Sequence, residues 1–237
     1  SAGTFDTDTN DLVFTSTGLA TISGGTFTAS SSATATLDGG LTVSGGTFTG
    51  AAGAVDVNGA LTFSSGTLTA PSGTFSVSGN WARTGGTFTE GSNTVTFDGS
   101  GTQTVNSGGS GGEFNNVSHT GSGTLQLTTN TATVSGTLTN SAGTLDTNGL
   151  DVTVTGAITN SGTITETGSG EIIHAAPSAT LTNSSGTAVT TYASGDLVFI
   201  TLVDEDENLD GATANTVNGT FTITASLSGD SLTINST

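Results

Sequence analysis

The chain has 237 residues, with 37 glycines, no cysteine and no methionine, and a single basic residue, Arg83, stands against 19 acidic ones, giving a formal net charge of −18. So little positive charge argues against binding nucleic-acid phosphates or anionic lipid, and no apolar run approaches the roughly 20 residues that span a bilayer. We therefore expect no nucleic-acid partner and no membrane span, and the acidic Thr-, Ser- and Gly-rich composition favours an extracellular or cell-surface location.

The first predicted elements are short strand-like segments at residues 4–6 and 12–15, and a regular repeat follows them. Gly-Thr-Phe, or Gly-Thr with Leu or Ile, begins at residues 25, 46, 66, 86, 123, 143 and 162, so that all steps but one are 19 to 21 residues. Such a period is typical of a solenoid, in which each coil buries its apolar face against its neighbours. Residues 1–187 are therefore predicted to form an all-β parallel β-helix, or β-solenoid, with about 20 residues per coil.

One coil, residues 25–45, shows how the chain is expected to fold. Three short alternating segments are separated by a Ser-rich and a Gly-rich corner, which predicts three strands and three sides. Alternation places Phe27, Leu41 and Val43 inside and the intervening threonines outside. The equivalent residues of four successive coils are expected to stack on one another; they are Phe27, Phe48, Leu68 and Phe88.

The period breaks between residues 86 and 123, where the step is 37 residues, nearly two coils. This stretch contains a glycine-rich run at residues 108–112. Two interpretations are open: a loop that protrudes from the rod, or a junction between two blocks of coils.

The segments NTVTFDGSGTQTV (93–105), EFNNVSHTGSGTLQL (113–127) and ATVSGTLTNSAGTLDTNGLDVTVTG (132–156) resemble the repeats of large secreted bacterial surface proteins, in the style of filamentous-haemagglutinin-like adhesins. The resemblance covers roughly residues 20–187. It implies a right-handed parallel β-helix. It says little about function, because the matching residues are packing and turn residues.

Residues 188–237 differ in character and are predicted to be a separate C-terminal β-module. The segments SGDLVFITLVDEDENLDG (194–211) and NTVNGTFTITASLSGDSLTI (215–234) resemble the Ig-like modules of prokaryotic surface proteins, which implies a β-sandwich. About 50 residues are too few for the seven strands of a complete sandwich, which occupy about 100. We therefore expect an incomplete sandwich, whose missing strand comes from the array or from another chain.

An acidic loop in this module is the candidate metal site. Alternating oxygen-bearing side chains are able to converge on one hard cation such as Ca²⁺; they are Asp204, Asp206, Asn208 and Asp210. The loop is not an EF-hand, because Leu209 stands where the turn glycine belongs. The alternative is a solvated acidic hairpin loop with no ion.

Other candidates have weaker patterns. Asp6 and Asp8, with Asp11 nearby, are interpreted as surface charge rather than metal ligands. His119 and His174 have no second histidine nearby and are expected at the surface. A lone tryptophan is either a carbohydrate-stacking platform or, the favoured interpretation, part of the core; this residue is Trp81.

Catalysis has little support in the sequence. Polysaccharide cleavage on a β-helix needs converging carboxylates and often a cation to stabilise developing negative charge, which one arginine and no lysine barely supply. We predict no enzymatic activity and no cofactor beyond possible Ca²⁺.

The prediction that remains is an extracellular structural protein that assembles head to tail with copies of itself into a filament or surface fibre. An uncapped strand edge at one end and an incomplete module at the other are expected to meet, residues 1–20 of one subunit against residues 188–237 of the next. The candidate assembly residues are Thr4, Phe5, Leu12, Val13, Phe14, Leu197, Phe199, Phe221 and Ile223. The alternative is a cell-surface adhesin fragment, with the rod as a spacer and the loop 106–116 or Trp81 as the point that binds a glycan or a surface.

Overall fold

A computed structural model describes residues 3–109, 113–174, 178–182 and 199–203, and within them the chain forms strands and turns without a helix. The short strands follow from the sequence, since Thr, Val and Phe suit a pleated surface while Gly, Ser and Asn suit the corners between strands. In chain order the strands are β1 (Thr4–Asp6), β2 (Phe14–Ser16), β3 (Ala20–Ile22), β4 (Thr26–Thr28), β5 (Ala35–Leu37), β6 (Leu41–Thr49), β7 (Val55–Val57), β8 (Leu61–Thr69), β9 (Phe75–Val77), β10 (Trp81–Arg83), β11 (Thr87–Thr89), β12 (Thr94–Phe97), β13 (Thr102–Asn106), β14 (Glu113–Phe114), β15 (Asn116–His119), β16 (Thr124–Leu127), β17 (Ala132–Val134), β18 (Leu138–Asn140), β19 (Thr144–Asp146), β20 (Val152–Val154), β21 (Ile158–Asn160), β22 (Thr163–Thr165), β23 (Ile172–His174), β24 (Ser178–Thr182) and β25 (Phe199–Val203).

Strands β1–β23 form a β-solenoid of about eight turns with about 20 residues per turn, as predicted. The first strand of each coil lies in an eight-stranded parallel sheet, with the order β2-β5-β7-β9-β12-β15-β18-β21. The second and third strands of the early coils share an 11-stranded sheet, because β6 and β8 are long strands that continue round the corner between two sides. In the later coils the third side is a separate four-stranded sheet, β14-β17-β20-β23.

The irregular step in the repeat does not interrupt the solenoid. On the first side Phe75 pairs with Val95, and Val95 with Val117 in the next coil. The Gly-Thr-apolar motif instead changes sides: it forms the third strand of the early coils, as in β11, but the second strand of the later ones, as in β16 and β19. The step of 37 residues is therefore nearly two coils, from a third strand to the second strand two coils later, and it marks a junction between two blocks of coils in which the motif occupies different sides.

The core is the column of inward side chains that alternation predicts. Phe27 pairs in register with Phe48, Phe48 with Leu68, and Leu68 with Phe88, and all four are buried. The rings of Phe27 and Phe48 stack at 5.2 Å between centroids. Leu41 and Val43 are buried too, so the predicted register is confirmed.

Glycine is required where successive corners approach closely. Gly46 has φ of 62°, and a Cβ added there would lie 2.6 Å from the carbonyl oxygen of Gly25 in the coil before. Gly25 and Gly66 occupy the same corner with similar dihedral angles, so a column of glycines lets these backbones stack.

β24 and β25 form their own two-stranded antiparallel sheet, in which Leu181 pairs with Ile200. This pairing joins a segment that the sequence analysis assigned to the array with one that it assigned to the C-terminal module. The predicted boundary between residues 187 and 188, the Ig-like module apart from residues 199–203, and the acidic loop at 204–210 lie outside the described residues, and all three stay predictions.

Candidate assembly site

The first described coil presents three strand edges that no other described strand covers. β1 pairs only with β4, β2 with β5 and β3 with β6, and no other described strand covers their outer edges. Each edge presents backbone N–H and C=O groups that are free to extend a sheet. The predicted assembly residues Thr4 and Phe5 lie in β1, and Phe14 begins β2.

An open apolar hollow of about 300 Å³ lies at this end of the rod. Its lining is almost entirely apolar or aromatic; it includes Phe5, Phe14, Ala20, Ile22, Phe27, Leu37, Leu41 and Phe48, with Ser16 and Thr21. The hollow is the solenoid core seen end-on, where the stack of inward side chains reaches the first described coil.

Exposed apolar side chains are concentrated at the same end. Among the described residues the large exposed ones are Phe5 (54%), Leu12 (50%), Val13 (75%), Leu19 (60%) and, in the last described solenoid strand, Ile173 (39%). The sides of the rod expose none of comparable size within the described residues. Exposed apolar groups in one patch mark an interaction surface more often than scattered ones do.

Aromatic packing joins the strands of the first coil to β4. The Phe5 ring stacks on Phe27 at 5.5 Å and meets Phe14 edge-on at 5.6 Å, while Phe14 meets Phe27 at 5.0 Å. Such pairs stabilise a fixed geometry beyond the burial of their area. Phe5 and Phe14 are therefore fixed against Phe27 of the neighbouring strand.

The acidic turn that precedes Leu12 fastens the first coil to the second. Asp6 accepts hydrogen bonds from the Asp8 amide and the Thr9 hydroxyl, both at 2.8 Å, and these bonds lower the pKa of its carboxyl group. Asp8 accepts a 2.7 Å bond from the amide of Ser31 in the next coil. Within the described ranges no group of three or more His, Cys, Asp or Glu residues is arranged to hold a metal ion.

The other side of the predicted junction, at the C-terminal end of the chain, is only partly described. β21, β22 and β23 are the last described strands of the three solenoid sheets. Of the predicted assembly residues, Phe199 begins β25, whereas Leu197, Phe221 and Ile223 lie outside the described residues, as do the candidate calcium ligands Asp204, Asp206, Asn208 and Asp210.

Trp81 belongs to the core and is not a platform for carbohydrate. Its side chain is 1% exposed and lies among the rings of Phe75, Phe88, Phe97 and Phe114, at 5.1 to 6.2 Å between centroids. The core interpretation is therefore confirmed, and the Trp81 version of the adhesin alternative is wrong. The candidate loop 106–116 is itself partly a strand, because β14 pairs with β17 and Phe114 is buried.

His119 is not a surface residue, contrary to expectation. It is 1% exposed, and its Nδ1 lies 2.8 Å from Asn140 Oδ1 within the solenoid. Sequence reasoning missed it because an isolated polar residue in an alternating segment was interpreted as outward-facing. The register offers a signal, since His119, Asn140 and Asn160 are equivalent positions of three successive coils. His174 is partly exposed, with Nε2 3.1 Å from the Gly156 carbonyl oxygen.

Comparison with models of protein families, with curated protein sequences and with solved structures finds no match to this chain. The fold is therefore established by its own strand pairing and register. Within the described residues no helix has the length and apolar character needed to cross a membrane.

Proposed function

We propose that this chain is an extracellular structural protein that joins head to tail with copies of itself in a filament or surface fibre. The observation that carries the proposal is the open end of the first coil, which combines unpaired strand edges with the apolar hollow and exposed Phe5, Leu12, Val13 and Leu19. Strand edges of this kind pair with other chains unless charge, proline or a covering segment prevents it.

The partner that fits this end is the C-terminal module of the next subunit, residues 188–237. Its segments 197–203 and 220–225 are apolar and β-prone, as strands that extend an open sheet edge are. Contact between two different surfaces of the same chain is heterologous, and such contacts propagate into open fibres when they do not close into a ring.

Charge sets the conditions for assembly. A formal net charge of −18 makes subunits repel one another, and salt screens such repulsion. The open end itself carries no lysine, since the chain has none, and so lacks the residue that most often protects strand edges. Growth of fibres is expected to be faster at higher ionic strength, and Ca²⁺ bound at Asp204, Asp206, Asn208 and Asp210 would add to this effect.

Two resemblances support a surface location. The array is similar to repeats of secreted adhesin-like proteins, and residues 194–234 to Ig-like modules of prokaryotic surface proteins. The proposal assigns the chain no catalytic step. The adhesin alternative, with the loop 106–116 as its binding point for a glycan or surface, keeps the rod as a spacer and predicts isolated molecules.

The test is assembly of the full chain, followed by light scattering and negative-stain electron microscopy with and without Ca²⁺. Val13→Lys adds charge at a side chain that is 75% exposed, so the subunit should fold normally but fail to join. Ser64→Lys adds the same charge at an exposed position on the side of the rod and is the matched control.

Uniform fibres from the unaltered chain and from Ser64→Lys, but not from Val13→Lys, are the expected result. If the unaltered chain stays monomeric at high concentration under both conditions, the filament hypothesis is wrong and the adhesin hypothesis takes its place. Normal fibres from Val13→Lys would show that the first coil does not form the junction.

A further inference from the structure

One side of the early coils carries a regular array of paired threonines. In β4, β6, β8 and β11 an inward apolar residue is flanked by two threonines that face outward. The strands pair in register, so these threonines form two parallel rows that run along the rod. The first row is Thr26, Thr47, Thr67 and Thr87, and the second is Thr28, Thr49, Thr69 and Thr89. We call these eight residues the threonine plane.

The spacing of the plane is set by the backbone. Neighbours in one row are separated by the distance between strands, about 4.8 Å, and the two rows lie two residues apart, about 6.6 Å. Between the rows lies the column of buried residues from Phe27 to Phe88, which holds each strand in place relative to the core. Threonine is β-branched and has few rotamers, so neighbouring side chains are expected to repeat the same orientation.

The hydroxyl groups of the plane have no partner within the described part of the chain. Other outward groups do: the Gln126 amide donates to Asp146 at 2.7 Å, and the Ser76 hydroxyl donates to Asp56 at 2.8 Å. No such bond engages a side-chain hydroxyl of the threonine plane, and all eight side chains are partly or fully exposed. Their hydrogen-bonding capacity is therefore directed to water.

We propose that the threonine plane binds the surface of ice. Water molecules between the rows are held by the hydroxyl groups and confined by the methyl groups. They are therefore spaced as the threonines are, and this spacing is close to that of the oxygen atoms on a face of hexagonal ice. The arrangement of the threonine side chains is already present in the free protein, so the protein adsorbs to a crystal face with little further loss of entropy. Many weak water-mediated hydrogen bonds then act together. The eight residues are uncharged; among the described residues the one carboxylate in line with them is Asp6, which pairs with Thr28 at the end of the second row.

Crystalline water fits this plane better than the other regular lattice of biological surfaces, a crystalline polysaccharide. Sugar rings are bound by exposed aromatic faces, and the aromatic residues beside the rows are turned inward: Phe48 is 1% exposed and Phe88 7%. Hydroxyl and methyl groups at a fixed repeat offer a flat glycan little area for stacking.

The later coils contain a natural comparison. On their second side Thr124, Thr144 and Thr163 form one outward row, but the row beside it is interrupted by Gln126 and Asp146. This side also consists of short parallel strands over a column of buried apolar residues, but it lacks the second row of threonines. A substitution at Thr144 is therefore a matched control for one at Thr47.

The experiment freezes the full chain slowly, measures its partition into ice, and records thermal hysteresis and inhibition of ice recrystallisation. Thr47→Tyr places a bulky ring in the plane but keeps a residue that favours strands. Thr144→Tyr makes the same change on the interrupted side. Each variant is also made together with Val13→Lys, so that the result does not depend on whether fibres form.

The unaltered chain and Thr144→Tyr should be enriched in ice severalfold over Thr47→Tyr, with thermal hysteresis lost only in Thr47→Tyr and equal melting temperatures for both variants. Exclusion of the unaltered chain from ice overturns the proposal. Equal losses from the two substitutions also overturn it, as does binding to crystalline cellulose or chitin that depends on Thr47 in the absence of ice binding.

Discussion

A line of polar side chains runs through the interior of the later coils. Asn140 accepts a 2.8 Å hydrogen bond at Oδ1 from His119, and its Nδ2 donates to Asn160 Oδ1 at 2.8 Å and to the Thr163 carbonyl oxygen at 2.9 Å. Because Asn140 Oδ1 accepts, His119 carries its proton on Nδ1. The other ring nitrogen, Nε2, is buried and has no hydrogen-bond partner among the described residues. A second proton there would have nowhere to donate.

Stability should therefore decrease in mild acid. Burial lowers the pKa of His119 below its ordinary 6.5, against a smaller raising effect of the Asn140 hydrogen bond. Below pH 6.5 His119 binds a proton in the unfolded chain but not in the folded chain. The contribution of His119 to the free energy of unfolding is therefore at its maximum above that pH and decreases below it. One histidine gives a slope of at most about 1.4 kcal/mol per pH unit.

Urea unfolding at about pH 7.5 and about pH 5.5 measures this dependence. His119→Asn should keep a polar partner for Asn140 and remove the dependence, whereas His174→Gln should retain it. An unfolding free energy of the unaltered chain that does not change between the two pH values would contradict the assignment.

The buried phenylalanine column predicts a sharp contrast between adjacent residues. Phe48→Asp places a carboxylate where the native ring is 1% exposed, and burying an unpaired charge costs several kcal/mol, about as much as a small domain's whole stability. Thr47→Asp puts the same charge on the outer face of the same strand. Circular dichroism and thermal melting should show a folded Thr47→Asp and an unfolded Phe48→Asp. A folded Phe48→Asp with an unchanged melting temperature would mean that the register is wrong.

At the scale of the element, the corner is as demanding as the strand. Gly46 and Gly91 both have positive φ, 62° and 57°, but an added Cβ meets the backbone of Gly24 and Gly25 at the first and nothing within 4 Å at the second. Gly91→Ala should cost about 1–2 kcal/mol from the dihedral angle alone. Gly46→Ala should cost more, because the stacked corners must separate. Chemical unfolding of both variants gives the comparison, and equal losses would show that corner stacking contributes nothing.

Strands and core positions were predictable because alternation is local: Phe27, Leu41 and Val43 face inward as the pattern requires. The step between residues 86 and 123 left two interpretations open because a motif identifies a type of strand and not the side of the coil that it occupies. His119 was misplaced for a related reason, since its partner Asn140 lies one coil away in the sequence. Leu19 was missed at the candidate site because one apolar residue between small ones has no visible periodicity, although it is 60% exposed at the open end.

At the scale of the whole molecule, the two ends of a solenoid are its weakest part. An inner coil is stabilised by a neighbour on each side, whereas an end coil has only one, so unfolding is expected to begin at the ends. In the first described coil, Phe5 and Phe14 line an open hollow. In the proposed filament the junction would therefore stabilise more than the contact alone, because it would also cover a coil at which unfolding is expected to begin.

Fibres should therefore resist denaturant better than single chains. Binding that favours the folded state raises its apparent stability with concentration, and each junction in a fibre supplies the missing neighbour of an end coil. We expect the guanidinium midpoint of the unaltered chain to rise as its concentration passes the point at which fibres form. Val13→Lys should keep one midpoint at all concentrations, equal to that of the dilute unaltered chain, because its substituted side chain is 75% exposed. The measurement is intrinsic fluorescence of Trp81, which is buried in the core. A midpoint that is independent of concentration, in samples that contain fibres by electron microscopy, would show that the junction leaves the end coils as they were.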